Sequence, residues 1–278
     1  LYIFHFWYSL FTYVGLCIIS WYLSNNFPIG LKTLLISISK SLNYPIKLLM
    51  LYYSYHQSLQ AKFSTDTMYP KEKSLFQNNC VQIYLTKFGL NACYPLTNAT
   101  GDSIGKSLRD FTYDFGIPSH LTFDGASAQA GRNTLFMKTI RELDIQYHMS
   151  GPRRPNENPA ELSIREIKRR WYSVMVQKKV PRRLWDFGLV WICETNNLSV
   201  SSSKYSKGRT ALEMLTGETP DISEYTDFPF YDWVTYRGSA GLGEITIGKW
   251  LGVSHKIGQL MSFWILTPEC KVISCTIV

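Results

Sequence analysis

The sequence has few of the residue patterns that bind zinc or build a disulfide framework. It holds six cysteines and five histidines in 278 residues, with no C-x-x-C pair and no histidine at zinc-ligand spacing from a cysteine. This spacing argues against a zinc finger and against a small disulfide-rich fold, and it fits a reducing compartment. The cysteines are Cys17, Cys80, Cys93, Cys193, Cys270 and Cys275.

Charged side chains are missing from the start of the chain. Leu1 to Gly30 contains none when His5 is counted as neutral. Residues 1–23 are long enough to cross a bilayer, for which about 20 apolar residues suffice, but polar residues interrupt them. No basic segment typical of a targeting peptide is present.

The status of residues 1–58 stays open between three interpretations. They are flanking sequence translated by chance, because AT-rich DNA encodes a similar composition, or a membrane segment, or an unrecognised helical region. The first methionine is Met50, and the chain stops at Val278 inside a strand-like run. We therefore expect both ends to be truncated.

Acidic side chains are scarce in one long basic region. Between Arg153 and Arg183 the chain has three acidic residues against ten basic ones, and its overall net charge is +8. Such an excess favours an anionic partner, either nucleic acid or an acidic membrane surface. A solvated, lysine- and arginine-rich surface helix is the plainer alternative.

Strand-like and helix-like segments succeed one another through the middle of the chain. Apolar residues recur at helical spacing in the longer segments, as at Ile104, Leu108 and Phe111. Asp102 is expected to cap that helix, and Gly116 is expected to end it. The predicted strands are 61–66, 80–85, 90–96, 120–124 and 145–149, and the predicted helices are 101–115, 132–144, 160–178 and 184–200.

This order, βββαβαβα, predicts an α/β fold. Three strands in succession followed by alternating helices imply a mixed five-stranded sheet with helices on both faces. It is the element order of the ribonuclease H-like fold, and we place that core at residues 59–200. A linker is predicted at 201–229, and a small, truncated β-rich module at 230–278. That module serves either nucleic-acid contact or folding support.

Three carboxylates stand at positions that suit metal-assisted chemistry. Asp124 ends a strand-like run that begins at His120, and Glu161 opens the basic helix after a loop rich in proline and asparagine. Asp66 lies on the first strand. Carboxylates on rigid elements beside cations are what phosphodiester chemistry with Mg²⁺ needs. The plainer interpretation is an exposed aspartate at a strand end and a glutamate at a helix N-terminus.

The motifs around these acids resemble the integrase catalytic core of retroelements, and more narrowly the integrase region of copia-type Gag-Pol polyproteins. The resemblance covers roughly residues 60–278. It rests on residues 65–67 (TDT), 123–126 (FDGA), 155–161 (PNENPAE), 164–171 (IREIKRRW), 184–188 (LWDFG), 209–213 (RTALE) and 216–225 (TGETPDISEY).

The resemblance implies that Asp66, Asp124 and Glu161 are the catalytic and metal-binding triad. Two Mg²⁺ or Mn²⁺ ions are implied, with Asp66 bridging them and the other two acids each completing one ligand shell. The spacing of the last two acids is one residue longer than usual in the family. Pro159 and Ala160 stand where many relatives have Gly-Val, and a proline there pre-sets the first helical turn.

The helix that begins near Glu161 is predicted to follow a phosphate backbone. Arg165 and Lys168 share the face of Glu161, because residues four and seven positions further along a helix return to nearly the same side. Arg153 and Asn158, in the preceding loop, are expected to contact DNA ends, with ordinary loop polarity as the alternative. An apolar stripe of Ile164, Ile167, Trp171, Val174 and Met175 is expected to pack on the sheet. Arg169, Arg170, Lys178 and Lys179 are expected to be solvated surface cations.

The predicted function is DNA integration, with metal-dependent 3′-end processing and strand transfer by a DDE-type polynucleotidyl transferase of a transposable element. The expected partners are element ends, target DNA, further copies of the chain and the reverse transcriptase portion of the same polyprotein, with no small-molecule substrate. The nucleus or a cytoplasmic virus-like particle is the expected location. The alternatives are a degenerate remnant that only binds DNA, a ribonuclease H-like nuclease unrelated to integration, and a membrane-anchored protein.

Overall fold

The computed structural model describes residues 58–125, 129, 131–151, 160–200, 205–206, 208–237, 245–255, 261–276 and 278, with only the backbone at 58–60 and 160. Residues Ser58–Val278 form one compact unit. Residues 1–57, whose status the sequence leaves open, lie outside the described residues. Within the described part, no helix is long and apolar enough to cross a membrane.

The described elements follow the predicted order. The core strands are β1 (Ser58–Met68), β2 (Cys80–Thr86), β3 (Asn91–Leu96), β4 (Ile117–Asp124) and β5 (Gln146–Ser150). Its helices are α1 (Gly101–Phe115), α2 (Leu135–Glu142), α3 (Ala160–Gln177) and α4 (Trp185–Leu198), with a 3-10 turn at Arg182–Leu184 before α4. Two short helices follow, α5 (Ala211–Thr216) and α6 (Ser223–Thr226), and then β6 (Trp233–Arg237), β7 (Ile245–Val253), β8 (Phe263–Leu266) and β9 (Val272–Cys275).

The first five strands form one mixed sheet in the order β3-β2-β1-β4-β5. Strand β1 pairs antiparallel with β2 and parallel with β4, and β5 continues the sheet parallel to β4. All seven residues of β2 are buried, as expected for a strand covered on both faces. The predicted mixed five-stranded sheet, and with it the ribonuclease H-like fold, is confirmed.

Alternation along β1 separates two hydrophobic clusters. Phe63 belongs to the cluster under α1 and α2, whereas Met68 belongs to the one under α3 and α4. In α3 the residues Ile164, Ile167 and Met175 are buried in the second cluster. Trp171 and Val174 pack against the same cluster, so the predicted apolar stripe of α3 is confirmed.

The start of α1 differs from the prediction. Thr100 is the N-cap, and its side chain accepts a hydrogen bond from the backbone N–H of Ser103 at 3.3 Å. Asp102 lies in the first turn, where its charge suits the positive end of the helix dipole, but it does not cap the helix. Gly116 ends the helix with a φ of 100°, a conformation that a residue with a Cβ adopts only with strain.

A second sheet, in the order β6-β7-β8-β9, is antiparallel throughout. Its inward residues, among them Trp250 and Ile265, belong to the same hydrophobic cluster as Trp185 of α4. The second sheet therefore shares a hydrophobic core with α4. The division at 59–200, 201–229 and 230–278 stays a prediction.

Candidate active site

Asp66 and Asp124 stand at the same edge of the five-stranded sheet. The last residue pair of the parallel β1–β4 ladder is Ser64 and Thr122. Asp66 lies two residues after Ser64, and Asp124 lies two residues after Thr122. Strand residues two apart point to the same face, and neighbouring strands lie about 4.8 Å apart. The register therefore brings the two carboxylates side by side.

The face on which they lie is the one that α3 covers. Asp66 is the partner of Ile83 across the antiparallel β1–β2 pair, so both side chains point to the same side of the sheet. Ile83 packs in the cluster that contains Ile164 of α3. Glu161 lies in the first turn of α3, three residues before Ile164. The helix thus delivers Glu161 to the side of the sheet that carries Asp66.

The electrostatics of Asp66 show which charged groups surround it. Partial burial raises the pKa of its carboxyl group, and the backbone N–H of Thr67, which donates to Oδ1 at 2.7 Å, lowers it. The negative charge of Asp124 raises this pKa further, the ammonium of Lys168 lowers it, and Glu161 raises it again. The other two predicted acids and one predicted cation are therefore within electrostatic range of Asp66.

The carboxylates fit a divalent cation in chemistry and charge. They supply only oxygen donors, which Mg²⁺ prefers. The pKa of Asp66 is raised, first by burial and then by the negative charge of Asp124, and a nearby cation would favour the ionised form. Over the described residues, however, no three His, Cys, Asp or Glu side chains stand close enough together to hold an ion. The acids act electrostatically on Asp66, but their side chains are too far apart to bind one ion together as they stand.

Helix α3 carries its cations in two different environments. Lys168 acts on Asp66, and Arg165 is exposed one turn after Glu161. By contrast, Arg169 and Arg170 both bind Glu166, at 2.8 Å and 3.0 Å. Arg169 and Arg170 therefore already have an anionic partner on their own helix. The other two predicted DNA-binding residues, Arg153 and Asn158, lie outside the described residues.

Two further residues lie beside the carboxylates and are not predicted from the sequence. Tyr69 is exposed just beyond β1, and the pKa of its hydroxyl is raised by burial, by Cys80, and by the charges of Asp124 and Asp66. Ser150 is the partner of Asp124 in the parallel β4–β5 pair. An exposed tyrosine and a single serine have no recognisable spacing in a sequence, so only the fold identifies them.

Comparisons with known proteins give likenesses of structure alone. No protein-family model and no curated protein matches the chain. The cryo-EM structure of the simian T-cell lymphotropic virus intasome in complex with PP2A regulatory subunit B56 gamma is similar at 16% identity and a TM-score of 0.48, covering 78% of this chain and 76% of that chain.

Two integrase catalytic cores are also similar to part of this chain. That of BIV integrase has 13% identity and a TM-score of 0.45, with 56% of this chain and 94% of that chain covered. The HTLV-2 integrase core in complex with magnesium, in a trimeric form, has 15% identity and a TM-score of 0.44, with 58% and 99% covered. Such scores describe a likeness of backbone, and the fold assignment rests on the strand order itself.

Proposed function

We propose that this chain is a retroelement integrase fragment of the copia type, which processes DNA 3′ ends and joins them to target DNA with the help of divalent metal ions. The observation that carries the proposal is the placement of Asp66 and Asp124 on neighbouring parallel strands, with Glu161 and Lys168 within electrostatic range. The resemblance of the surrounding motifs to copia-type polyproteins supports the narrower assignment.

Both proposed reactions exchange one oxygen for another on a DNA phosphorus atom. The nucleophile is water in end processing and a DNA 3′-hydroxyl in strand transfer. Two divalent ions, when bound, would stabilise the attacking and leaving oxygens of an in-line displacement. Asp66 and Asp124 would hold these ions from the sheet, and Glu161 would complete the ligand set from α3. Because burial and two neighbouring acids already disfavour the ionised form of Asp66, cation binding there relieves an existing electrostatic cost.

The proposed DNA path follows α3 away from the carboxylates. Lys168 and Arg165 would neutralise phosphates, and we keep Arg153 and Asn158 as proposed contacts to DNA ends. Cations that contact phosphates add affinity without sequence preference, and such binding weakens steeply with salt. Arg169 and Arg170, which already bind Glu166, contribute less to this path.

The proposal extends to partners and location. By the same resemblance, the chain self-associates, acts together with the reverse transcriptase portion of its polyprotein, and works in the nucleus or a cytoplasmic virus-like particle. Sedimentation of the full chain with and without DNA tests the self-association. A strictly monomeric chain in the presence of DNA ends contradicts it.

A DNA-binding remnant without catalysis is the second candidate. It is favoured by the lack of any three His, Cys, Asp or Glu side chains close enough to hold an ion, over the described residues. Calorimetry with Mn²⁺ separates the two candidates. Binding that depends on Asp66 and Asp124 supports the enzyme, and DNA binding without any ion binding supports the remnant.

A strand-transfer assay tests the enzymatic proposal. The 278-residue chain, labelled DNA ends and Mg²⁺ or Mn²⁺ should yield joined products on a gel. Asp124→Asn and Glu161→Gln should abolish these products, whereas Asp102→Asn, which removes an acid from the first turn of α1, should leave them unchanged. Metal-dependent joining that survives Asp124→Asn and Glu161→Gln refutes the assignment.

A further inference from the structure

The hydroxyl group of Ser150 is buried, and no residue in the described part of the chain pairs with it. Ser150 is 6% exposed, although the four residues before it on β5 are all exposed. Its Oγ atom is shielded from solvent and, in its present orientation, makes no hydrogen bond to any described residue. A buried hydroxyl left unpaired costs the folded state stability, so such a group needs a physical reason.

The register of the sheet places this hydroxyl beside a proposed metal ligand. Ser150 is the direct partner of Asp124 across the parallel pair of β4 and β5. Partnered residues on adjacent strands point to the same face, with the strands about 4.8 Å apart. A serine and an aspartate at that separation can form a hydrogen bond after a rotation of either side chain.

One buried serine away from the carboxylates, Ser107, has a different environment. Ser107 of α1 is as well buried as Ser150 but lies on the other side of the sheet. Its Oγ donates to the carbonyl oxygen of Ile104 at 2.8 Å and lies 3.0 Å from the hydroxyl of Tyr84. The buried hydroxyl of Ser107 is therefore hydrogen-bonded, whereas that of Ser150, beside Asp124, makes no hydrogen bond within the described part of the chain.

We propose that Ser150 is a positioning residue, whose hydroxyl donates to the carboxylate of Asp124 when that carboxylate binds a metal ion. This inference rests on the proposed function. A carboxylate has two oxygens, so one can bind the ion while the other accepts the hydrogen bond. Hydrogen bonds of this kind fix the orientation of metal ligands, and their loss commonly costs about 10–100-fold in metal affinity. In the absence of the ion, the unpaired hydroxyl lowers the stability of the folded state.

The test compares Ser150→Ala with Ser107→Ala in the full chain. Without divalent ions, Ser150→Ala should raise Tm by about 2–4 °C, because it removes an unsatisfied buried group. Ser107→Ala should lower Tm, because it leaves the Tyr84 hydroxyl without its partner. In calorimetry with Mn²⁺, Ser150→Ala should weaken binding about 10–100-fold. Ser107→Ala should bind as the unaltered chain does.

Each other outcome counts against the inference. A lower ion-free Tm for Ser150→Ala means that the hydroxyl already stabilises the fold, and equal Mn²⁺ affinity means that it does not support Asp124. Either result overturns the role of Ser150 while leaving the proposed function intact. Absence of Mn²⁺ binding by the unaltered chain overturns the proposed function, and this inference falls with it.

Discussion

The Nε2 atom of His255 lies 3.0 Å from Oε1 of Glu194, which links the end of β7 to helix α4. The hydroxyl of Tyr225 lies 3.1 Å from the same nitrogen. The hydrogen bond that His255 donates to the carboxylate of Glu194 raises the pKa of His255, burial lowers it, and the charges of Glu194, Glu224 and Asp114 raise it. Protonated His255 therefore ties the second sheet to the core.

This contact predicts a pH-dependent part of the stability. Because the folded-state pKa of His255 is raised above its unfolded value, the stabilisation is complete below about pH 6.5 and is lost as pH rises through the folded-state pKa. Tm of the unaltered chain should exceed that of His255→Gln at pH 6, and the gap should narrow at pH 8.5. Glu194→Gln should remove the same pH-dependent part. A gap that is constant with pH contradicts the ion pair.

Removing the charge of Asp66 should stabilise the folded chain, whereas removing the charge of a salt-bridged acid destabilises it. Its pKa is raised in the folded state, so the stability linked to it is present at acidic pH and is lost as pH rises through the folded-state pKa. At neutral pH without metal, Asp66→Asn should therefore raise Tm. Millimolar Mg²⁺ should raise the Tm of the unaltered chain and leave that of Asp66→Asn unchanged. Thermal melts with and without Mg²⁺ measure both effects, and a Tm of Asp66→Asn that rises with Mg²⁺ contradicts the site.

Lys168 and Arg169 are adjacent cations with different predicted roles. Lys168→Ala should weaken DNA binding and reduce the slope of log affinity against log salt by about 1, the effect of one lost phosphate contact. Arg169→Ala should change the slope less, because Arg169 already binds Glu166 at 2.8 Å. Fluorescence anisotropy with duplex DNA at several salt concentrations measures both slopes. Equal slopes for the two variants contradict the proposed path.

Asn197 anchors α4 to β3 through two hydrogen bonds. Its Oδ1 accepts from the backbone N–H of Asn91, and its Nδ2 donates to the carbonyl oxygen of Asn91, both at 2.7 Å. Asn197→Ala leaves two buried backbone groups unpaired, and we expect a loss of about 2–4 kcal/mol in the free energy of unfolding. Urea unfolding measures the loss. The exposed bond from Arg170 to Asn196 provides a control, because Asn196→Ala should cost less than about 1 kcal/mol.

Regular patterns in the sequence predict the core elements because each element buries one face. The helical spacing of Ile104, Leu108 and Phe111 indicates α1, and all three residues are buried. The prediction of Asp102 as the cap of that helix is wrong. Thr100 and Asp102 both suit a helix start, and only the backbone conformation at residue 100, with a ψ of 156°, decides between them.

The candidate site was partly predictable for the same reason. Asp66, Asp124 and Glu161 lie at or near the ends of predictable elements, so the sequence predicts on which element each acid lies. The distances between them depend on the register of β1 against β4. Ser150 and Asn197 could not be identified. Their roles depend on partners in other elements, and no local pattern encodes such partners.

Anomalous scattering from crystals of the chain grown with Mn²⁺ locates the proposed metal site. We expect a peak between the carboxylates of Asp66 and Asp124, and its loss in crystals of Asp124→Asn. Ordered Mn²⁺ that contacts neither aspartate, or no ordered Mn²⁺ at a concentration that saturates strand transfer, would contradict the proposed site.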